Sequence, residues 1–552
     1  MSNSSASQSS PPHGSTDDQA VKLRIAQELR QQRLDAVRVI VPDVEDDSDE
    51  EPIDNDDVRT SDDDGDEKEN IPPHTSWSKQ CANVVCPPLT VPSGPQPPIH
   101  HVVTEMDFFQ CMLRQHAVST IAINSTAYAH SKGMSSTWQT TASEIWLFIA
   151  VHIFMGINHL PRAPMYWEER WLQTFVVNSF SRDRFQELLR FFHVAPPSPA
   201  GAKHTVVDKL APLITACQHS FSTCFSPVQV LVVDEAMVPF KGRASMKQYI
   251  RSKPTRWGYK VWCVASDKYL LNFDVYKGKQ KRQSDNLSIH QTVVQLVQPY
   301  SHRGHLLFLD NLFVSVDLFD HLERIGMRAC GTLRPNRKGL PADIKTASKQ
   351  LDKGARTCWQ RGDLSCLAWR DKRLVYFLSN HIRVDTSISF DKQRDNDDIV
   401  TITKPAVVHE YNLHRGGVDV VDQLRGNYAM GRKSMKNWPS LAWWLIDMCV
   451  VNAYRLFILQ TDSNMSQLDF RINLMQQLAD AYPPQRAHEQ PPPARGPGRP
   501  SHPHYPTRSA RRRDCAYCSE GRRHRKFTFI VCDHCDKHLC VDPCFRLYHE
   551  AQ

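Results

Sequence analysis

Three aspartates in the middle of the chain stand in settings suited to divalent cations. Asp234 follows the apolar run Val228-Gln-Val-Leu-Val-Val233, and Asp310 follows His305-Leu-Leu-Phe-Leu309 and precedes Asn311. Asp419 lies in Gly416-Gly-Val-Asp-Val-Val-Asp-Gln423, which reads as a helix start with a fourth carboxylate, Asp422, three residues on. Attack on a phosphodiester requires an activated oxygen nucleophile and a neutralised leaving oxygen, and two cations roughly 3.5–4 Å apart supply both. Magnesium takes oxygen ligands and keeps several waters, so three or four carboxylates suffice. A carboxylate just past a strand end faces outward from the sheet, where the sites of α/β folds collect. Asp also ends strands and caps helices for structural reasons alone. Asp419 and Asp422 weigh against that blander account, because at i, i+3 on one helical face they repel by typically a few tenths of a kcal/mol. A helix N-terminus offsets part of the repulsion, and a bound cation would offset far more.

A second signature closes the chain: Cys515-x2-Cys518-x13-Cys532-x2-Cys535-x4-Cys540-x3-Cys544-x4-His549. Two Cys-x2-Cys knuckles and a Cys/Cys/His run fit tetrahedral thiolate and imidazole sites. Seven ligands nearly fill two such sites, with His538 or His534 as the eighth. The expectation is a cross-braced pair of Zn²⁺ ions, whose binding, worth roughly 10–16 kcal/mol, would supply the folding energy of a segment with little core. Arg511, Arg512 and Arg513 precede the first knuckle, and Arg522 and Arg523 lie between the two. From Arg486 to Lys526 there are eleven basic and three acidic residues, a balance that favours contact with DNA. Gly498-Arg499-Pro500 resembles half of an AT-hook, and the arginine run also reads as a nuclear localisation signal.

The elements that must position these groups follow from the hydrophobic period. Residues 1–100 are rich in Ser, Pro and Asp and are expected to be a disordered acidic tail. The region 101–226 is helical in pattern, with apolar residues at three-to-four spacing over 142–157 and 181–193 and Ser181 as an N-cap. From 228 the period changes. Strand-like runs at 228–233, 258–266, 269–277, 305–310 and 328–333 enclose helical segments at 287–299 and 315–326. That order predicts an α/β sheet of the RNase H kind over 227–333. A β-rich insertion occupies 334–408, and closing helices at about 417–430 and 440–460 complete the core within 409–482. A basic Pro/Arg linker (483–513) leads to the zinc finger (514–552).

Bulk composition agrees with an ordinary protein of several domains: 552 residues, 41% apolar and 23% charged. The net charge of +7 hides a division, since residues 43–69 hold 16 acidic side chains against Arg59 and Lys68. The rest carries 65 Lys and Arg against 44 Asp and Glu, so a polyanion partner and a segment able to compete with it are both implied. Ser48 and Ser61, each followed by acidic residues, are candidate sites for an acidophilic kinase. Six of the 16 cysteines fall within 515–544, which is metal-ligand usage rather than a disulfide framework. The first 40 residues are polar, and the apolar runs 145–157 and 441–459 are too short or too polar to span a bilayer. A nuclear or cytoplasmic protein is expected.

Several segments carry a resemblance. Asp234 to Arg243, Asp310-Asn-Leu-Phe-Val-Ser315, Gly331 to Pro341 and Gly416 to Gln423 are similar to piggyBac-family transposases. So are Tyr428, Arg432-Lys433-Ser434, Trp438 and Asn452-Ala-Tyr454, and, in the helical region, Met155-Gly156, Tyr166-Trp167 and Arg184-Phe185 with His193. The likeness covers about 105–460 and the cysteine-rich tail. It implies a DDE/D catalytic set on Asp234, Asp310 and Asp419, with Asp422 as the fourth carboxylate, in an RNase H-like fold with a helical DNA-binding and dimerisation region. The implied reaction is cut-and-paste transposition: two Mg²⁺ (or Mn²⁺) ions per site, cleavage at terminal inverted repeats, a hairpin intermediate and insertion at TTAA. Two ends must meet, so a homodimer on double-stranded DNA in the nucleus follows. Lys241, Arg243, Arg432, Lys433 and Lys436 lie nearest the acidic motifs and are the candidate phosphate contacts. Trp438 either stacks on an unpaired base or packs in the core. Leu312 stands where the family usually has an aromatic, and Lys279–Arg282 make an unusually basic loop.

Two rival readings remain. One is a domesticated, transposase-derived DNA-binding protein that no longer cuts. The other treats the tail as a RING-like ligase or chromatin reader, but the RING spacing Cys-x-His-x2-Cys is missing.

Overall fold

The structure is a computed structural model that describes residues 76–550, apart from 83, 198–203, 252, 279–287, 394–398, 433, 435, 485–505, 521–525 and 542. The acidic stretch 43–69, the loop Lys279–Arg282, most of the 483–513 linker, and Lys433, Arg522 and Arg523 therefore lie outside the described residues. Two compact units divide between Pro484 and Gln485, so the regions expected at 101–226, 227–333, 334–408 and 409–482 all belong to the first.

The first unit opens with helices α1 (Glu105–Met112), α2 (Gln115–Ser131), α3 (Ala142–Ile157), α4 (Arg182–Phe191) and α5 (Ala211–Cys224). Their starts are written in polar residues. Thr104 and Asp107 close a capping box on α1, and Ser181 accepts the Arg184 amide at the head of α4. Helix α3 is buried from Ile145 to Ile157 without a break, as expected of a helix apolar on all sides.

The sheet follows: β1 (Val230–Pro239), β2 (Gln248–Tyr249), β3 (Trp257–Ser266), β4 (Tyr269–Val275), β5 (Leu306–Leu309) and β6 (Arg328–Thr332). Strand β1 pairs antiparallel with β3 and parallel with β5, and β5 pairs parallel with β6. Strands β4 and β2 share the outer edge of β3. The spatial order β4-β3-β1-β5-β6, with helices α6 (Ile289–Val297) and α7 (Val316–Arg324) in the connections, is an RNase H-like α/β core. Strands β7 (Arg356–Arg361), β8 (Leu364–Arg370) and β9 (Leu374–Ser379) continue the same sheet antiparallel from β6, giving nine strands. The stretch after 333 thus extends the sheet before a separate hairpin, β10 (Ser387–Gln393) and β11 (Ile399–Pro405), leads back to the core.

Helices α8 (Ala406–His414), α9 (Gly417–Gly426), α10 (Pro439–Thr461) and α11 (Gln467–Ala481) close the unit. By length and hydropathy α10 could cross a membrane, but its apolar window is 83% buried inside the body. It is a core helix, packed on α1, α5 and β4. The buried pair Asp447–Arg471 joins α10 to α11 and accepts the Met430 amide, fixing the chain that leaves α9. Gly156 of α3 makes room there, since a Cβ would stand 2.5 Å from the Tyr428 carbonyl oxygen.

Residues 76–99, expected to belong to the disordered tail, run along the body instead. Ser78 exchanges both backbone hydrogen bonds with Gln360 on β7, Thr90 donates to the Arg303 carbonyl, and Gln96 donates to that of Cys224. Low aromatic content marked this stretch as unstructured, but its main-chain groups and Trp77, which donates to the Gly339 carbonyl, find partners on the edge strand β7, on loops and at the end of α5.

Candidate active site and metal-ligating clusters

Register assembles the acidic residues. Val233 on β1 is the parallel partner of Leu309, the last residue of β5, so Asp234 and Asp310 come next, each one residue past the last paired position. Asp234 does not end its strand, as the apolar run suggested. Pairing with β5 stops there, while pairing with β3 continues from Asp234 opposite Cys263 to Pro239 opposite Gly258. The strands part at this point, and the gap is where the site lies. Helix α9 covers the face of β1 that carries both Val232 and Asp234. Its Gly417 lies so close that a Cβ would stand 2.8 Å from Val232 Cγ2. That contact seats the head of the helix on the sheet, and Asp419, two residues on, meets the site from the rim through Lys253.

A residue that the sequence reading passed over stands among these acids. Lys253 Nζ lies 3.9 Å from Asp419 Oδ1 and donates to the Glu235 carbonyl oxygen at 3.4 Å. Burial works against its ammonium, but the fields of Asp234, Glu235, Asp419 and Asp310 outweigh it and hold the pKa above the ordinary lysine range. Asp234 keeps a window to solvent, yet burial pushes its carboxyl up to about 8; Lys253 opposes the shift, and Glu235 and Asp419 reinforce it. In the sequence Lys253 is one of several cations around Pro254, with Arg251 and Arg256, and nothing local sets it apart.

Supporting groups fix the other acids. Asp310 Oδ1 accepts the Asn311 amide at 2.6 Å and the Thr332 hydroxyl at 3.2 Å. Asp419 is at the rim, its side chain 67% exposed. Asp422 is held by Arg425 Nε at 2.8 Å on its own helix, and it acts on the buried Cys263 thiol, whose pKa is raised by burial first and by Asp422 and Asp234 next. It therefore flanks the site behind Asp419. Among the described residues, only clusters in the second unit gather three or more ligand atoms within 4.8 Å of one another; the carboxylates stand more loosely around Lys253.

The candidate DNA contacts divide. Lys241 and Arg243 are exposed on the turn after β1. Arg432 instead donates to the Leu160 carbonyl and the Tyr166 hydroxyl and lies over the Tyr166 ring. Lys436 donates to the Arg190 carbonyl. Trp438 is 3% exposed and stacks on Phe192 at 6.0 Å, so it packs in the core and offers no face to a base. These three tie the segment after α9 to the helical region. Proximity in sequence to an acidic motif suggested phosphate contact, whereas the apolar and carbonyl-rich surface opposite claims the side chains.

In the second unit, β12 (Pro506–Asp514) pairs with β13 (Phe527–Cys532), followed by a short helix, Cys544–Glu550. Arg511, Arg512 and Arg513 are exposed on β12, and Arg512 lies over the Phe527 ring. Cys515, Cys518, Cys540 and Cys544 converge in one cluster, and Cys532, Cys535 and His549 in another. Ligands one, two, five and six form the first and three, four and seven the second, which is the cross-brace. His538 joins neither cluster; it is buried with Nδ1 unpartnered. The donor chemistry of both clusters fits zinc.

The comparisons agree with this anatomy. A family model described as "Transposase IS4" matches residues 104–454, and one described as "DDE_Tnp_1-like zinc finger" matches 499–550. The human PiggyBac transposable element-derived protein 3 is 26% identical over 472 residues, 81% of this chain and 76% of that protein. The human PiggyBac transposable element-derived protein 5 is 22% identical over 416 residues, 71% and 78%. A cryo-EM structure of a piggyBac transposase synaptic complex with hairpin DNA shares the fold, with a TM-score of 0.64 and 21% identity over 82% of this chain and 98% of that one. The class that fold and matches define is the DDE-type transposase with a zinc-finger tail. Within it, the chain belongs to the Transposase IS4 family as a piggyBac-type member.

Proposed function

We propose that this protein is a DDE/D DNA transposase that cuts phosphodiesters at transposon terminal repeats and joins the freed ends to target DNA at TTAA. The observation that carries the reading is the β1–β5 register, which sets Asp234 beside Asp310, with Asp419 meeting the site from the rim through Lys253. The donor set fits divalent cations, being carboxylate oxygens around Lys253, with one carboxyl pushed up by burial. Mg²⁺ or Mn²⁺, two per site on Asp234, Asp310 and Asp419 with Asp422 behind, would activate the nucleophile and neutralise the leaving oxygen. The chain's own residues do the positioning. Thr332 holds Asp310 by its hydroxyl, Arg425 holds Asp422, and Lys253 steadies the acids against mutual repulsion. Lys241 and Arg243 take phosphates beside the site, and Arg511–Arg513, exposed on the C-terminal unit, contact duplex DNA.

The relative solved with hairpin DNA supports double-stranded DNA as partner, and two transposon ends imply a homodimer acting in the nucleus. Zinc in the two thiolate clusters, two ions in all, maintains the C-terminal unit. The experiment is strand cleavage of terminal-repeat DNA with Mg²⁺, wild type against Asp310→Ala. Nicking by the wild type alone supports the proposal. Binding without nicking gives a domesticated DNA-binding protein, the second reading, which the "transposable element-derived" names of its human relatives favour. Neither binding nor nicking overturns both.

A further inference from the structure

Strand β1 leads from the acidic site to an aromatic pair that packing leaves half bare. Tyr249 on β2 and Trp257 on β3 are directly opposed partners, 49% and 47% exposed, with ring centroids 4.7 Å apart and planes inclined by 46°. Opposed residues share a sheet face. Counting from Asp234 opposite Cys263 in steps of two brings Trp257, and with it Tyr249, onto the face that carries Asp234. Two adjacent large aromatics left half bare at a sheet edge make a contiguous apolar patch open to a ligand.

The surroundings select its chemistry. Between Glu235 and Asp267 the chain carries seven Lys and Arg and no acidic residue. Lys241, Arg243, Arg251 and Arg256 are exposed around the pair, and Lys247 Nζ lies 4.6 Å from the centre of the Trp257 ring, anchored by donation to the Gly242 carbonyl. Cations that track a phosphate chain beside exposed π-faces are the arrangement that binds unpaired nucleotides without reading their sequence. Distance adds a prediction of place. Six residues of extended chain separate Asp234 from the level of Trp257, about 20 Å, or about six base steps along DNA.

We propose that Tyr249 and Trp257 form a stacking platform for unpaired bases of the DNA strand held at the carboxylate site, a few nucleotides from the scissile phosphate. This rests on the proposed cleavage of DNA there, but its test is independent of cutting. The full-length protein, without divalent cation, is titrated with blunt duplex and with the same duplex carrying a mixed-sequence single-stranded overhang that holds 2-aminopurine. Wild type is expected to prefer the overhang and quench the probe. Tyr249→Ala and Trp257→Ala each lose about tenfold in overhang affinity and most of the quenching, while blunt-duplex affinity changes less than threefold. Tyr249→Phe and Trp257→Phe, which keep a ring and the fold, retain both. Equal losses on both DNAs, an unquenched probe in the wild type, or alanine variants that bind as wild type would each overturn the platform. Absence of Mg²⁺-dependent nicking would count against the transposase reading alone.

Discussion

The acidic site on the sheet and the thiolate clusters of the C-terminal unit prepare for metal in opposite ways. Seven of the cysteine and histidine ligands already converge, each set within 4.8 Å, in a unit whose hydrophobic cluster centres on three buried residues, Cys515, Leu539 and Cys544. The acids stand apart around a lysine, on a sheet whose framework buries a core running from Ile99 to Leu478. A structural ion is the core of its unit, so its ligands have nowhere else to be. A catalytic ion is a visitor, and the framework must hold its carboxylates against repulsion while the site is empty. The same contrast fixes what each region loses when disturbed.

The largest effect is expected from chelation. Zinc removal, or Cys540→Ser, should melt the β12–β13 unit outright, because structural zinc contributes about 10–16 kcal/mol to such a fold. The midpoint of the first unit should not move. Amide exchange resolved by segment checks both, and a C-terminal unit still protected after chelation would break the comparison.

Packing has the corresponding role in the first unit. Trp438→Ala removes a buried ring that stacks on Phe192 and edges His193 and should cost about 3–5 kcal/mol. Calorimetry should register that loss, with Asp419 displaced as the turn after α9 loosens. A DNA-binding role would instead leave the midpoint unchanged.

Catalysis ranks next. Asp310→Ala should lower Mg²⁺-dependent nicking by at least about a hundredfold, and Thr332→Val, which removes only the hydroxyl that orients Asp310, by about tenfold. Both should melt within a degree or two of wild type. Equal losses from the two would mean that Thr332 contributes more than orientation.

How far these roles were visible in the sequence depends on the range of the forces involved. Periodicity predicted every strand from β1 to β6 except the two-residue β2, and it predicted the Ser181 cap, because those signals are local. It stopped β1 at Asp234 where the apolar letters stop, although pairing with β3 carries the strand to Pro239. Arg432, Lys436 and Trp438 show a related limit: sequence gives a side chain's chemistry but not the surface opposite it, which here is two carbonyls and the Phe192 ring. Lys253 was missed because its significance is wholly tertiary, arising from acids 18 residues before it and 57 and 166 residues after. Nor did any local pattern show that β7–β9 join the main sheet, since edge pairing is settled by which edge is free.

The smallest effect is also the most diagnostic of the looser site. Asp234 is pushed up from 3.8 to about 8 in the folded, metal-free protein. A raised carboxyl favours folding while it is protonated, so its contribution is complete below about pH 4 and is lost as pH rises through 8. Compared with Asp234→Asn, the metal-free wild type should therefore lose thermal midpoint steadily between pH 5 and 8, a slope that subtraction of the variant isolates from the buried histidines. Adding Mg²⁺ should reverse the slope, because the ion binds the deprotonated carboxylate and its apparent affinity climbs with pH over that window. The C-terminal clusters, loaded with zinc, should show no such response to Mg²⁺. A difference curve that is flat without metal would mean that Lys253 already neutralises Asp234, and the site would then be one that a cation must enter by displacing the lysine.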